Sequence, residues 1–195
     1  GESQQVTKVV MAGGGTVGWL AATALSPLLG TSISVPLVAS KDIGIVGVGE
    51  ATIPPIRTFH KLLGIDEKAF MKASQATFKL GIEFQNWREC DHSYIHSFGI
   101  TGRECWAGEF HHFWLRAKEY GFADDFGDYC PELIAAKQGK FATSDAMPLN
   151  FAYHFDAVAY GRFLKQLAIQ AGVTHIEGDI KQVEQCPASG NITAL

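Results

Sequence analysis

Apolar and polar positions follow two rhythms along this chain, and each predicts a different element. Val6-Thr7-Lys8-Val9-Val10-Met11-Ala12 is short and rich in β-branched residues, the composition of a buried strand. Trp19 to Ser26 places apolar side chains at helical spacing, and Ile33 to Val38 returns to a strand-like run. Strand, helix and strand in that order predict an α/β fold with a parallel sheet. Pro54-Pro55 opens a helix at its first turn that runs to Leu63, with Gly64 as its stop. Glu67 to Ala76 predicts another helix. From Thr77 to Trp87, Phe78, Leu80, Ile82 and Phe84 alternate with Lys79, Gly81, Glu83 and Gln85, which predicts a half-buried strand with Lys79 opposite the core aromatics. Asp156 caps a helix whose apolar stripe is Val158, Phe163, Leu164, Leu167 and Ala171, ended by Gly172. Val173 to Ile176 and Asp179 to Val183 read as strands returning to the first sheet. Ile192 to Leu195 reads like the middle of a strand, so the expectation is a fragment of a longer protein.

Chemistry enters at the turn between the first strand and helix, Gly13-Gly14-Gly15-Thr16-Val17-Gly18. A lone G-x-G-x-x-G is a weak signal, but between a strand and a helix it becomes a dinucleotide fingerprint. Gly13 permits the tight turn, Gly15 lets backbone approach a pyrophosphate, and Gly18 lets helix pack on strand. The free N–H groups and positive end of the helix then face phosphates. A turn with no ligand does not need three glycines at that spacing. The fingerprint also expects an acidic residue at the end of the second strand for the ribose hydroxyls. Ala39 stands there instead, leaving Ser40 or Asp42 to serve from displaced positions.

Composition narrows the classes of partner. The chain has 195 residues, 47% hydrophobic and 18% charged, with a formal net charge of −4. That balance suits a globular core and gives no basic field for nucleic acid or an anionic membrane. No apolar run approaches the roughly 18 residues of a membrane span, and no signal-peptide pattern is present. Cys90, Cys105, Cys130 and Cys186 are scattered without a C-x-x-C, as in a reduced cytoplasmic protein. His92 and His96 have a chelating spacing, but no third ligand stands out, so no metal is expected.

The segment from Asp42 to Pro55 alternates glycine with β-branched residues, which suits extended backbone pressed against something flat or charged. Periodicity alone makes Lys79 a solvated surface lysine. From Tyr94 to Trp114 the chain is dense in aromatics and histidines; composition alone favours a core over a pocket wall.

Together these segments resemble the flavin-dependent halogenases of the tryptophan halogenase type. The resemblance runs nearly the whole chain. It rests on Gly13 to Trp19, on Gly47-Val48-Gly49-Glu50-Ala51-Thr52-Ile53-Pro54, and on Phe78-Lys79-Leu80-Gly81-Ile82-Glu83-Phe84-Gln85-Asn86-Trp87. Ile95 to Gly99, His112 to Arg116 and Tyr153 to Ala157 extend it. The first motif is shared with many flavoproteins, whereas the second and third are more specific. The resemblance implies a Rossmann-like FAD-binding fold of the p-hydroxybenzoate hydroxylase type with inserted substrate-side segments. It divides the chain into an FAD-binding part over 1–90, a substrate-side insertion over 91–155 and a return to the FAD fold over 156–195.

The implied reaction uses reduced FAD from a separate flavin reductase, O₂, and chloride or bromide. A flavin hydroperoxide gives hypohalous acid, which a catalytic lysine, matching Lys79, directs onto an aromatic ring such as tryptophan or indole. As a cation the lysine hydrogen-bonds the acid; as a neutral amine it forms a haloamine. Gly13, Gly15, Thr16 and Gly18 match the pyrophosphate turn. Ala39 and the run Gly47, Gly49, Glu50 and Ala51 match segments along the flavin. Val183 matches a position whose backbone meets adenine, and His96 and Phe98 match positions facing the substrate ring. The family's W-x-W-x-I-P motif and second catalytic carboxylate fall beyond residue 195. A homodimer is compatible with this picture. The competing readings are a flavin-dependent aromatic monooxygenase, which needs no lysine at position 79, and a non-catalytic FAD-binding fragment.

Overall fold

Backbone pairing follows the predicted order. In the computed structural model, which describes residues 5–42, 44, 47, 49–146 and 148–195, the elements run β1 (Met11–Ala12), α1 (Thr16–Leu29), β2 (Pro36–Ala39), β3 (Gly49–Ala51), α2 (Pro55–Leu62), α3 (Glu67–Ser74), β4 (Thr77–Lys79) and β5 (Gly81–Gln85). They continue with β6 (Ser93–Ser97), α4 (Phe110–Glu119), a 3₁₀ turn at Phe126–Tyr129, α5 (Pro131–Lys137), β7 (Ala152–Asp156), α6 (Ala157–Gln170), β8 (Thr174–Glu177), β9 (Glu184–Gln185) and β10 (Ile192–Ala194). The chain divides into two units: residues 1–50, 60–76 and 155–195, and residues 51–59 and 77–154. Among the described residues, no helix is long and apolar enough to cross a membrane.

In the first unit, β1, β2 and β8 form a parallel sheet in that order, with Leu37 paired to Met11 on one side and His175 on the other. Val35, Leu37 and Ala39 are buried, as parallel strands covered by helices require. Helices α1 and α6 lock through hydroxyls: Thr23 Oγ1 donates to Leu164 O at 3.2 Å and Ser26 Oγ to Ala171 O at 2.7 Å. Asp156 caps α6 as expected, accepting from Ala159 N at 2.8 Å. The buried stripe of α6 is Ala157, Tyr160, Gly161, Leu164 and Ala168. It shares Leu164 with the expected stripe and otherwise centres on the Tyr160 side of the helix, where Tyr160 turns inward to His60 and Phe70. Gly64, at φ +67°, ends α2 as predicted, its N–H bonding Lys61 O while Ile65 N–H reaches His60 O.

Three expectations need correction. The strand predicted over Asp179–Val183 is irregular backbone; pairing resumes at β9, antiparallel to β10. The strand predicted over Thr77–Trp87 splits at Leu80: β4 pairs antiparallel with β7, whereas β5 forms a hairpin with β6. Gly81 marks the break, because a Cβ there would stand 2.6 Å from His96 O. The aromatic stretch is not a core either. Among the described residues from Tyr94 to Trp114 none of the aromatics is buried, and Trp106 is fully exposed. The second unit's large buried side chains are instead Phe151, Tyr153 and Leu133, with Phe78 stacked on Phe141 at 3.9 Å between ring centroids.

His60 gives the first unit a pH dependence. It is buried, its Nε2 lies 2.6 Å from Tyr160 Oη, and burial lowers its pKa to about 4 from 6.5. Between those values the unfolded chain binds a proton that the folded chain does not. The contribution is therefore complete above about pH 6.5 and is lost as pH falls toward 4, about 3 kcal/mol in all. Urea titrations at pH 7 and pH 4.5 should show this loss, and His60→Gln should flatten the profile across that window.

Candidate functional site

The first candidate site is the glycine turn. Gly13 adopts φ +121°, and its N–H bonds Val38 O at 2.9 Å, holding the turn to the end of β2. A Cβ on Gly18 would stand 2.1 Å from Gly13 O, and one on Gly14 would stand 2.4 Å from Ala39 Cβ. Gly15 is different: it caps α1 with extended backbone, and a Cβ there would meet no heavy atom within 4 Å. The turn is thus closed toward the protein and open outward at the helix N-terminus. α1 has no acidic residue in its first turn to neutralise that positive end.

A cavity of about 750 Å³ opens there, lined by Gly13, Gly15, Thr16, Ser40, Asp42, Glu50, Asp179 and Lys181 among others. An outward-facing helix terminus beside a cavity of this size fits a dinucleotide. Ala39 is buried against Gly14 and stands behind the wall, so Ser40 and Asp42 take the strand-end positions on it. Of the flavin-side run, Glu50 reaches the lining; Gly47, packed near Val158, Gly49 and Ala51 do not. Ile43, Ile45, Val46 and Val48 lie outside the described residues. Val183, expected beside the adenine, is 53% exposed on irregular backbone two positions past the last lining residue. Sequence reasoning missed Asp179 and Lys181. Hydrogen bonds from Ser40 and Lys181 hold the Asp179 carboxyl below its ordinary pKa. The available signal was Gly178-Asp179 directly after a parallel strand, where α/β folds place ligand contacts.

The second candidate site is built around Lys79 at the end of β4. The residue is 9% exposed, so it is not a solvated surface lysine. Nζ donates to Thr52 O at 2.9 Å and lies 5.5 Å from the centroid of the Phe98 ring. Burial lowers the amine's pKa, while a carbonyl acceptor and an aromatic face both favour the charged form. Thr52 is itself fixed, its N–H bonding Tyr153 O at 3.0 Å and its Oγ1 accepting from Tyr153 N at 3.1 Å. The Phe98 N–H bonds Leu80 O at 2.9 Å, tying the end of β6 to the break after β4.

Lys79 lines a cavity of about 440 Å³ with Phe78, Phe141 and His154. His154, not foreseen from the sequence, has its pKa lowered by burial and by the charge of Lys79. The structure therefore brings Phe98 to Lys79 but separates His96 from them. His96 is exposed on β6 and lines a different cavity of about 840 Å³ with Tyr94, Cys130 and Lys137. The separation follows from the split strand, because β6 pairs with β5 and not with β4.

Comparison with known proteins converges on one family. Residues 8–195 match the family model described as tryptophan halogenase. Tryptophan 7-halogenase RebH from Lentzea aerocolonigenes is 32% identical, covering 99% of this chain and 40% of that protein. Among solved structures, Xcc4156, a flavin-dependent halogenase from Xanthomonas campestris, superposes with a TM-score of 0.93 at 55% identity, over 98% of this chain and 39% of that one. BrvH, a flavin-dependent halogenase from Brevundimonas sp. BAL3, gives 0.87 at 34% identity, over 97% and 39%. The chain thus spans about 40% of the length of these relatives. With its glycine turn, parallel sheet and buried lysine in place, the chain belongs to the tryptophan halogenase family.

Proposed function

We propose that this chain carries the cofactor cradle and the catalytic lysine of an FAD-dependent halogenase. Its substrate is a planar, electron-rich aromatic such as tryptophan or an indole, with O₂ and chloride or bromide as co-substrates. A separate reductase delivers the reduced flavin. The family match and the names of RebH and Xcc4156 support this reading, and the observation that carries it is the buried Lys79 amine beside the Phe98 ring. When bound in its reduced form, the flavin supplies the two electrons with which O₂ and halide yield hypohalous acid and water.

The chain's own residues have distinct tasks. Backbone N–H groups at Gly15 and Thr16 receive the pyrophosphate, and Gly13 and Gly18 hold the turn that presents them. Ser40 or Asp42 would hold the sugar hydroxyls, and Glu50 would lie along the flavin. The Lys79 ammonium donates a hydrogen bond to the oxygen of hypohalous acid, drawing electron density from the halogen and raising its electrophilicity. Thr52 O orients Nζ, and Phe98 offers a flat apolar wall for the ring under attack.

The test supplies the family-length enzyme with FAD, a flavin reductase, and bromide or chloride, and follows a substrate panel by mass spectrometry. Halogenated indoles, phenols or pyrroles are expected. Turnover confined to aliphatic or electron-poor compounds would overturn the reading.

A further inference from the structure

We infer that Asp179, just past the end of β8, holds the 2′-hydroxyl of the adenosine ribose in the dinucleotide cavity, in place of the acid that the second strand lacks. The inference rests on the FAD cradle proposed above and gives its ribose contact to a residue from a different strand.

Position 39 supplies no acceptor, since Ala39 is buried with its methyl group against Gly14. An acid that replaces the usual strand-end residue has to come from a neighbouring strand. β8 is that neighbour: it lies beside β2 in the parallel sheet, with Glu177 opposite Ala39. The Gly178 N–H bonds Ala39 O at 3.0 Å, which carries the pairing one residue past β8 and brings Asp179 beside the end of β2. On the same strand end the Gly13 N–H bonds Val38 O. The glycine turn, Ser40 and Asp179 therefore share the carboxyl ends of the strands, and all three line one cavity.

Hydrogen bonding separates the role of Asp179 from that of Ser40. The Ser40 hydroxyl accepts from Asp42 N–H at 3.2 Å and donates its single proton to the Asp179 carboxylate. Ser40 thus orients Asp179. From its own segment, Lys181 Nζ donates to Asp179 Oδ2 at 3.4 Å. An ionised carboxylate has about four acceptor sites, so two donors leave it able to accept from a sugar hydroxyl. A surface ion pair between residues two apart needs neither the Ser40 hydroxyl nor a place on the cavity wall. Lys181 lines the cavity as well, and its ammonium offsets the carboxylate charge beside a diphosphate. A ribose 2′-phosphate would be repelled at this position, so the site takes the unphosphorylated sugar.

The experiment uses the family-length enzyme freed of flavin. FAD is titrated by flavin fluorescence, with ADP and 2′-deoxy-ADP as competitors. The parent is expected to bind ADP about tenfold more tightly than 2′-deoxy-ADP. Asp179→Ala should weaken FAD and ADP about tenfold or more and leave 2′-deoxy-ADP unchanged, so that the two competitors bind alike. Asp179→Asn keeps the size of the side chain if the alanine variant unfolds, and should narrow the preference for ADP. Glu177→Gln removes a neighbouring acid that pairs with Lys41 at 3.6 Å and does not line the cavity; it should leave all three affinities unchanged. Unchanged FAD affinity in Asp179→Ala, or a full preference for ADP in the folded Asp179 variants, would overturn the assignment. A parent that binds FAD but treats ADP and 2′-deoxy-ADP alike would overturn it and leave the FAD cradle standing. A parent that binds no FAD would overturn both.

Discussion

Replacing Lys79 with alanine is expected to lower halogenated product by about 10²–10³-fold while leaving flavin affinity unchanged. The magnitude follows from losing a buried, preorganised donor, since a single such donor contributes about 10²–10³ in rate. The selectivity follows from position: Nζ is held by Thr52 O and faces Phe98, and none of the dinucleotide-cavity lining comes from β4. Product formation and flavin binding should be measured on the same preparation. Wild-type product yield from the alanine variant would sink the catalytic assignment. Lost flavin affinity would mean that Lys79 acts through the cofactor instead. Phe98→Leu keeps an apolar wall but removes the ring face, and should give a smaller loss of product than Lys79→Ala.

The glycine turn offers a second large effect, because its glycines fail for different reasons. Gly18→Ala drives a Cβ into Gly13 O at 2.1 Å, so the turn or the helix must move. Overpacking of this kind costs about 1–3 kcal/mol, and flavin binding should fall with it. Gly15→Ala meets nothing within 4 Å in the protein. It should leave the melting temperature in place yet weaken FAD binding about tenfold or more, since its methyl group occupies the space through which phosphates approach. Thermal melts and flavin fluorescence titrations on both variants separate the two outcomes. A Gly15→Ala chain that binds FAD as tightly as the parent would place the pyrophosphate elsewhere.

The first unit was the more legible part of the chain. Its strands, helices and caps are local events: Asp156 and Gly64 act within a few residues, and the glycine fingerprint carries its own geometry. What periodicity could not settle were positions whose partners come from far along the chain. Alternation from Phe78 to Phe84 is continuous, yet the chain changes partners at Leu80, and only the steric demand at Gly81 hints at it. Lys79 reads as a surface residue by alternation because the pattern cannot see Thr52, 27 positions earlier, whose carbonyl accepts its hydrogen bond. The aromatic stretch misled in the opposite direction. Apolar composition suggested burial, but Trp106 and Phe113 face outward. Asp179 escaped notice because the segment around it looked like a strand.

The first unit is assembled from three separate stretches of chain, 1–50, 60–76 and 155–195. The bond from Thr23 to Leu164 joins residues 141 positions apart, and Ser26 to Ala171 spans 145. During synthesis at about 5–20 residues per second, β1, α1 and β2 wait for several seconds before α6 and β8 emerge to cover them. The long stretch 77–154, by contrast, contains its own pairing partners and can condense during that interval. Closing so long a loop is entropically slow. The nascent protein therefore passes through a period in which Trp19 and Leu37, both buried in the finished sheet, lack their cover, and in which chaperones have their opportunity to bind.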